Sequence, residues 1–139
     1  MAQINPYLNF DGTAEEAFKF YQSILGGELY IQKMKDVPGF DNEDEKERAM
    51  HVALPVGDNI LMASDILRSA GHKLNMGNYS YISYSSDSRN EADRIFKALS
   101  EGGNVETPMA DMFWGDYYGS LIDKFGIRWM INYHNKNKS

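Results

Sequence analysis

Cysteine is absent from this chain of 139 residues, and long apolar runs are missing as well. The first absence excludes disulfides, thiolate metal sites and thiol nucleophiles together. It is compatible with a reducing compartment, and we expect a cytoplasmic location. The second absence leaves no segment long enough to span a bilayer as a helix. The opening "MAQINPYLNF" has neither a basic start nor a continuous apolar run, so the sequence predicts no signal peptide.

Basic side chains are also in short supply. The chain carries 14 lysines and arginines against 20 aspartates and glutamates, which gives a formal net charge of −6. Proteins that bind duplex nucleic acid present a basic stripe to the phosphates. The sequence shows no such stripe, and neither nucleic acid nor a membrane is an expected partner. Imidazole is scarce too, since only His51, His72 and His134 are present and no close His pair predicts a metal cage.

Two segments of the chain share one design, and they begin at Thr13 and Ser88. Each opens with a capping box, in which the hydroxyl bonds a backbone N–H and a glutamate three residues later, Glu16 or Glu91, reaches back to the cap. Each continues with apolar residues spaced i, i+3, i+4 and i+7, which is typical of an amphipathic helix. Each ends at a pair of glycines, which suits a helix C-terminus.

The surroundings of these two motifs repeat as well. Helices are predicted near 14–25 and 89–101. In each half, a strand candidate precedes the helix, an extended stretch follows it and a hairpin candidate ends the half. In the first half these lie at 7–10, 28–34 and 49–65. In the second half they lie at 81–84, 104–110 and 117–133. Each half is therefore predicted to fold as β-α-β-β-β. The length suggests one domain spanning 1–139, built of modules 3–66 and 78–135.

Three stretches carry a family resemblance: "NPYLNFDGTAEEAFKFYQSILGGEL", "ILMASD" and "FWGDYYGSLIDKFGIRWMIN". They resemble the PhnB-like branch of the vicinal oxygen chelate superfamily, which includes glyoxalase I, extradiol dioxygenases, and bleomycin and fosfomycin resistance proteins. Members of this branch also carry the name 3-demethylubiquinone 3-methyltransferase. The resemblance covers nearly the whole chain. It implies an α+β fold of two β-α-β-β-β modules with curled mixed half-barrel sheets, the glyoxalase/bleomycin resistance fold, and it implies a homodimer.

The resemblance also defines where a metal ion would bind. Metal-dependent members hold the ion with a His, Glu or Gln from the first and fourth strand of each half, and the ion then acts as a Lewis acid. Those positions fall at about Asn5 or Pro6, Met62 or Ala63, Tyr81, and Met130. None of these side chains is a strong ligand for a hard or borderline divalent ion. We therefore expect no metal and no cofactor.

Aromatic side chains are concentrated in "DMFWGDYYG", residues 111–119. Such a segment lines a small-molecule cavity, fills the core of a subunit interface or belongs to the plain core of a domain, and the sequence leaves these roles open. Gly115 and Gly119 weaken a regular strand here, and we predict that Trp114 lines a cavity. The predicted ligand-binding set comprises His51, Ser64, Tyr81, Phe113, Trp114, Tyr117 and Tyr118.

Polar residues of the hairpins have two interpretations each. His51 is either a satisfied or solvent-facing imidazole or a polar group inside a half-barrel cavity. Ser64 belongs to the rim of that cavity in the functional interpretation. Asp65 is predicted to be a turn or cap residue, and Asp123 a turn residue. The final residues, 134–139, are expected to fray.

Three classes of function are compatible with the sequence. The first is a dimeric protein that binds a small, partly aromatic molecule without a metal. The second is a metal-dependent lyase, isomerase or dioxygenase, which the implied fold favours and the residues at the ligand positions oppose. The third is an interaction protein that uses the fold as a scaffold. Metal content separates the first class from the second, and an occupied cavity would separate the first from the third.

Overall fold

The computed structural model describes residues 2–134 and contains the predicted β-α-β-β-β order twice. The first half comprises β1 Tyr7–Phe10, α1 Ala14–Leu25, β2 Tyr30–Lys33, β3 Ala49–Val56 and β4 Asn59–Asp65. The second half comprises β5 Ile82–Ser85, α2 Arg89–Ser100, β6 Asn104–Asp111, β7 Asp116–Ile122 and β8 Arg128–His134. Single turns of 3₁₀-helix span Met34–Asp36 and Arg68–Ala70. No helix in this part of the chain is long and apolar enough to cross a membrane.

The chain divides into two compact units, Met1–Asn75 and Met76–Ser139. Each unit contains one β-α-β-β-β module, and the predicted α+β fold of two mixed four-stranded sheets with two helices is confirmed. A single domain with modules 3–66 and 78–135 stays a prediction, and residue 135 lies outside the described part of the chain.

The end of the second unit differs from its prediction. The sequence predicts a frayed tail at 134–139, but β8 extends to His134, whose Cα partner on β7 is Asp116. The tail prediction is therefore wrong at His134, and residues 135–139 lie outside the described chain. The polar residues that follow His134 in the sequence suggested that the tail begins there. His134 is instead the last residue of β8 and pairs with β7.

The sheet of the first unit has the strand order β1-β4-β3-β2. β1 pairs with β4 in parallel, and the other two pairings are antiparallel. Because side chains alternate across a strand, one face of the sheet carries Val52, Leu54 and Ala63, which are fully buried. These pack on the buried stripe of α1, which includes Phe18 and Tyr21. The amphipathic pattern of the sequence thus places the core between one helix and one sheet face.

The second unit repeats this arrangement with the strand order β5-β8-β7-β6. β5 pairs with β8 in parallel, and β7 pairs with both β8 and β6 in antiparallel fashion. Leu121, Trp129 and Ile131 are buried on one face, and Ile95 and Leu99 of α2 are buried with them. Trp129 donates its indole N–H to Asp123 Oδ2 at 2.9 Å, so its polar atom is satisfied inside the core.

The N-terminus of α1 is capped differently from the prediction. Thr13 makes no side-chain capping hydrogen bond. Asp65, at the end of β4, instead accepts hydrogen bonds from the backbone N–H groups of Gly12 at 2.9 Å and Ala14 at 3.0 Å. Its second oxygen accepts from the N–H of Ala49 at 2.8 Å. Asp65 is therefore a cap residue, as predicted, but the helix that it caps is distant in sequence.

The N-terminus of α2 follows the predicted pattern more closely. Ser88 accepts a hydrogen bond from the N–H of Glu91 at 3.0 Å. The carboxylate of Glu91 reaches back to the N–H of Asp87 at 3.2 Å and to the hydroxyl of Ser86 at 2.7 Å. This is a capping box displaced by one residue at its second bond. The predicted turn at Asp123 is also present, because Asp123 Oδ1 accepts from the N–H groups of Phe125 and Ile127.

Candidate functional site

Each sheet has one face that its own helix does not cover, and we call these the first and second open faces. Side chains at alternate strand positions must lie on this side if their neighbours lie on the helix side. On the first sheet the alternation places there a set of half-buried and exposed side chains: Tyr7, Asn9, Tyr30, Gln32, His51, Ala53, Met62 and Ser64. On the second sheet it places there Ser83, Ser85, Asp116, Tyr118, Ser120, Arg128, Met130, Asn132 and His134.

His51 lies between two tyrosines on the first open face. Its ring centroid is 5.9 Å from that of Tyr7 and 6.2 Å from that of Tyr30, and Tyr7 Oη lies 3.4 Å from His51 Nδ1. Ser64 of β4 lies on the same face, opposite Asn9 of β1. Two residues of the predicted ligand-binding set, His51 and Ser64, thus share a face with an aromatic pair that the sequence analysis did not single out.

Trp114 and Phe113 lie in the turn that joins β6 and β7. Phe113 is 98% exposed and Trp114 is 52% exposed, so neither side chain belongs to the core. Their rings pack edge to face with centroids 5.0 Å apart, and the Trp114 ring lies 6.3 Å from that of Tyr118 on the second open face. The turn is closed by a hydrogen bond from the N–H of Met112 to the carbonyl of Asp116 at 2.7 Å. Of the three roles left open for this segment, plain core does not apply to these two residues.

Tyr117 is directed to the opposite side of the sheet from Tyr118. Its hydroxyl donates to the carboxylate of Asp93 on α2, and the guanidinium carbon of Arg89 lies 4.0 Å from its ring centroid. The hydrogen bond to Asp93, followed by burial, raises the pKa of Tyr117. Tyr117 and Tyr118 are consecutive residues of β7, and consecutive side chains of a strand lie on opposite faces of the sheet. The four aromatic side chains of 111–119 therefore do not share one face.

Tyr81 takes part in a polar network at the other end of the second sheet. Its hydroxyl donates to Glu106 Oε1 at 2.7 Å, and Arg128 Nη1 donates to Glu106 Oε2 at 2.7 Å. The Arg128 guanidinium also lies 5.8 Å from the Tyr81 ring, and its Nε donates to the carbonyl of Gly77. The hydrogen bond to Glu106 is the main cause that raises the pKa of Tyr81. Tyr81 is thus well separated along the strands from Trp114.

A histidine–carboxylate pair at the Trp114 end was missed by sequence reasoning. His134 Nδ1 lies 2.6 Å from Asp116 Oδ1. Hydrogen bonding from His134, then from Asn132 and from Trp114, lowers the pKa of Asp116. The carboxylate of Asp116 therefore has an imidazole as its direct partner at the edge of the sheet. The signal that could have found it is the aspartate in "WGDYYG" opposite the histidine that ends "MINYH", which the hairpin register brings together.

Strand register shows which side chains lie opposite the methionines at the predicted metal positions. Met62 faces Tyr7 across the β1–β4 pair, and Met130 faces Ser83 across the β5–β8 pair. These register-matched side chains are thioethers and hydroxyls. They do not fit a divalent ion that prefers carboxylate or imidazole. Within residues 2–134, no group of three or more His, Asp or Glu side chains is arranged to hold a metal ion.

Three clefts of the first unit have linings that include none of the predicted ligand-binding residues. One of about 490 Å³ includes Asp11, Arg68 and His72 among its lining, and one of about 410 Å³ includes Glu45 and Arg68. A third, of about 670 Å³, runs along the sheet edge near Tyr30 and Pro55. None of these three contains His51 or Ser64.

Comparison with known proteins identifies relatives along nearly the full chain. A family model described as 3-demethylubiquinone-9 3-methyltransferase matches residues 2–132. Protein YjdN of Escherichia coli is 31% identical over 137 residues, which cover 93% of each chain. The crystal structure of protein PA1353 from Pseudomonas aeruginosa is 39% identical, covers 96% of this chain and 98% of its own, and superposes with a TM-score of 0.88.

A more distant structure supports the fold. A glyoxalase/bleomycin resistance protein from Albidiferax ferrireducens T118 is 18% identical, covers 96% of this chain and 100% of its own, and gives a TM-score of 0.62. The family description is the name that the PhnB-like branch carries, and the resemblance seen in the sequence is confirmed.

Proposed function

The chain belongs to the PhnB-like family described as 3-demethylubiquinone-9 3-methyltransferase, and from this premise we propose that it binds a small, partly aromatic molecule without a metal ion. Binding uses the second open face at the Trp114 end, with the first open face around His51 as a second aromatic surface. The family has the glyoxalase/bleomycin resistance fold, and one fold hosts many chemistries. The proposal therefore depends on the side chains themselves.

The observation that carries the proposal is the exposed position of Trp114 against Tyr118. The indole ring is half exposed, and its neighbours Phe113 and Tyr118 lie 5.0 and 6.3 Å away. Contiguous exposed aromatic surface with a few polar groups is typical of ligand sites. Asp116 and Asn132 lie on the same sheet face as Tyr118 and supply polar groups there. An aromatic ligand can stack on Trp114 and direct its polar substituent toward them.

The absence of a metal in the proposal follows from donor chemistry. The side chains at the register-matched positions are neutral hydroxyls and thioethers: Tyr7, Met62, Ser83 and Met130. A divalent ion bound by them would lose water ligands without gaining anionic or imidazole ligands in return. A metal-dependent lyase, isomerase or dioxygenase is thus the less supported function. Methyl transfer would also require a bound methyl donor. The side chains described above are suited to contact an aromatic ring.

Self-association and location complete the proposal. We expect a homodimer in the cytoplasm. Several large apolar side chains are more than half exposed, which suits an interface: Ile4, Met76, Tyr79 and Phe113. Sedimentation velocity at micromolar concentration measures the assembly, and a monomer at every concentration would contradict it.

Tryptophan fluorescence tests the ring-binding proposal directly. Trp129 is 1% exposed, so fluorescence quenching by a ligand in solution reports mainly on Trp114. Titration with 4-nitroanisole, an aromatic quencher without an acidic proton, should quench the wild-type protein in a saturable manner. The matched variant Trp114→Phe retains only the buried Trp129 and should lose the saturable component. Equal quenching of both proteins, or quenching that never saturates, would contradict the proposal.

A further inference from the structure

We propose that His134 and Asp116 form a proton-accepting pair, which takes the proton of an acidic hydroxyl on an aromatic ligand stacked at Trp114. The inference rests on the proposed function, and it narrows the ligand to a ring with a phenolic or enolic hydroxyl. The pair lies at the edge of the second open face, where β7 begins and β8 ends.

The backbone fixes the two side chains against each other. Asp116 and His134 are directly opposite Cα partners in the antiparallel β7–β8 ladder. Side chains of directly opposite residues lie on the same face of a sheet at short range. The contact between Nδ1 and Oδ1, at 2.6 Å, is within the range of a charge-assisted hydrogen bond. The pair is therefore set by strand register rather than by a mobile loop.

The direction of the hydrogen bond fixes the tautomer of His134. An ionised carboxylate only accepts hydrogen bonds, so the proton of this contact must be on Nδ1. Asp116 is held in its ionised form, because hydrogen bonding from His134, Asn132 and Trp114 lowers its pKa. The neutral imidazole then has a lone pair on Nε2, and the carboxylate stabilises the imidazolium once a second proton is bound. The His134 side chain is 56% exposed and that of Asp116 is 20% exposed, so the outer part of the pair is accessible.

Strand β7 places the pair beside the aromatic surface. His134 hydrogen bonds to Asp116, and Trp114 lies two residues before Asp116 in the chain. Tyr118 lies two residues along β7 on the same face, with its ring 6.3 Å from that of Trp114. We expect a ring stacked against Trp114 and Tyr118 to direct one edge toward the Asp116–His134 pair, because Asp116 and Tyr118 share a face two residues apart on β7. A hydroxyl on that edge is the group that Nε2 can reach.

The proton transfer balances without any other reactant. The O–H bond of the ligand breaks, an N–H bond forms at His134 Nε2, and the ligand keeps the electron pair as a phenolate or enolate. The site then holds an imidazolium between two anions, the ligand oxygen and Asp116. An aromatic hydroxyl that is more acidic than an ordinary alcohol is needed, because the imidazole is a weak base.

Few other charges act on the pair among the described residues. Tyr118 shares the open face, and β5 contributes the uncharged Ser85 opposite Asn132. The ion pair of Arg89 with Asp111 lies on the helix side with Tyr117. Asp116 is therefore the charged group in direct contact with His134, at 2.6 Å.

The test uses 4-nitrophenol, whose phenolate absorbs visible light and whose phenol form does not. At a pH where the free compound is mostly protonated, wild-type protein should raise the phenolate band while Trp114 fluorescence is quenched. His134→Gln should still show quenching but no phenolate band. Asp116→Asn should give a weaker phenolate band than wild type at the same pH, because the imidazolium that forms has lost its anionic partner. 4-Nitroanisole, which has the same ring and no hydroxyl, should quench wild type and His134→Gln with equal affinity.

The outcomes separate the inference from the function on which it rests. If both compounds quench wild type but no phenolate band appears, or if His134→Gln retains the band, the proton-accepting role is overturned and ring binding stands. If neither compound gives saturable quenching, ring binding fails and the role of the pair fails with it. Circular dichroism checks that His134→Gln is folded. Its spectrum should match that of wild type, because the imidazole is more than half exposed at a strand end.

Discussion

The carboxylate of Asp65 accepts a hydrogen bond from the backbone N–H of Ala14 at 3.0 Å, although 51 positions separate the two residues in the chain. The same side chain bonds Gly12 and Ala49, and it is 7% exposed. One buried acid thus joins the N-terminus of α1, the start of β3 and the end of β4. It satisfies backbone donors that a helix start otherwise leaves unpaired.

We predict that Asp65→Ala destabilises the protein by about 3 kcal/mol or more, because it leaves buried N–H groups without partners. Thr13→Ala should cost less than about 0.5 kcal/mol, since the Thr13 side chain makes no capping bond. Urea unfolding followed by circular dichroism measures both. A larger loss of unfolding free energy for Thr13→Ala than for Asp65→Ala would mean that Thr13, rather than Asp65, caps the helix.

This cap shows where sequence reasoning was sufficient and where it was not. The apolar spacing predicted α1 over 14–25 with both bounds correct, because periodicity is a local property of the chain. The cap of the same helix comes from β4, and no local pattern contains that information. For α2 the cap is local, and Ser88 was correctly predicted.

The candidate site follows the same division. Period-two alternation could have separated Tyr117 from Tyr118 once β7 was placed, but the glycines around them favoured a bent segment. The pairing of Asp116 with His134 depends on hairpin register across a turn, and register was not fixed by the sequence pattern. Trp114 was predicted at the surface of a cavity, and the structure establishes its exposure, while its contact with a ligand stays a prediction.

The two tryptophans should differ sharply in their contribution to stability. Trp129→Phe should cost about 2 kcal/mol or more, because it removes packing volume from the core and the hydrogen bond to Asp123 Oδ2. Trp114→Phe should stay within about 0.5 kcal/mol of wild type, because its ring is half exposed in a turn. Urea midpoints at constant m-value measure both, and similar losses would contradict the placement of Trp114.

The neighbouring tyrosines should separate ligand binding from stability. Tyr118→Ala should weaken the saturable quenching by 4-nitroanisole, because it removes a ring beside Trp114. Tyr117→Ala should leave that quenching unchanged and lower the urea midpoint, because it removes the contacts with Arg89 and Asp93. The reverse pattern would mean that the ligand lies on the helix side of the sheet.

The cap of α2 should give a defined pH dependence. Hydrogen bonding from Ser86, then from the N–H of Asp87, lowers the pKa of Glu91 below its usual 4.5. A lowered folded-state pKa stabilises the fold above the unfolded pKa, and that stabilisation is lost as pH falls through the folded value. Glu91→Gln should therefore be less stable than wild type at neutral pH, and the difference should shrink as the pH falls well below 4.5. The control Glu101→Gln removes an equal charge just beyond the same helix without removing a bond of the N-terminal cap, and its urea midpoint at neutral pH should be closer to that of wild type than the midpoint of Glu91→Gln.

The last prediction concerns divalent ions. Protein treated with a chelator and then equilibrated with Zn²⁺, Ni²⁺ or Mn²⁺ should retain less than a stoichiometric amount after gel filtration. The physical reason is that Met62, Met130 and their strand partners offer no carboxylate or imidazole at the positions the family would use. Weak binding lost in His51→Gln or in His134→Gln would come from surface imidazoles, and it should not alter quenching by 4-nitroanisole. Elemental analysis of the gel-filtered protein measures retention. A stoichiometric ion that survives in both histidine variants and is required for ring binding would overturn the metal-free proposal and restore the metal-dependent one.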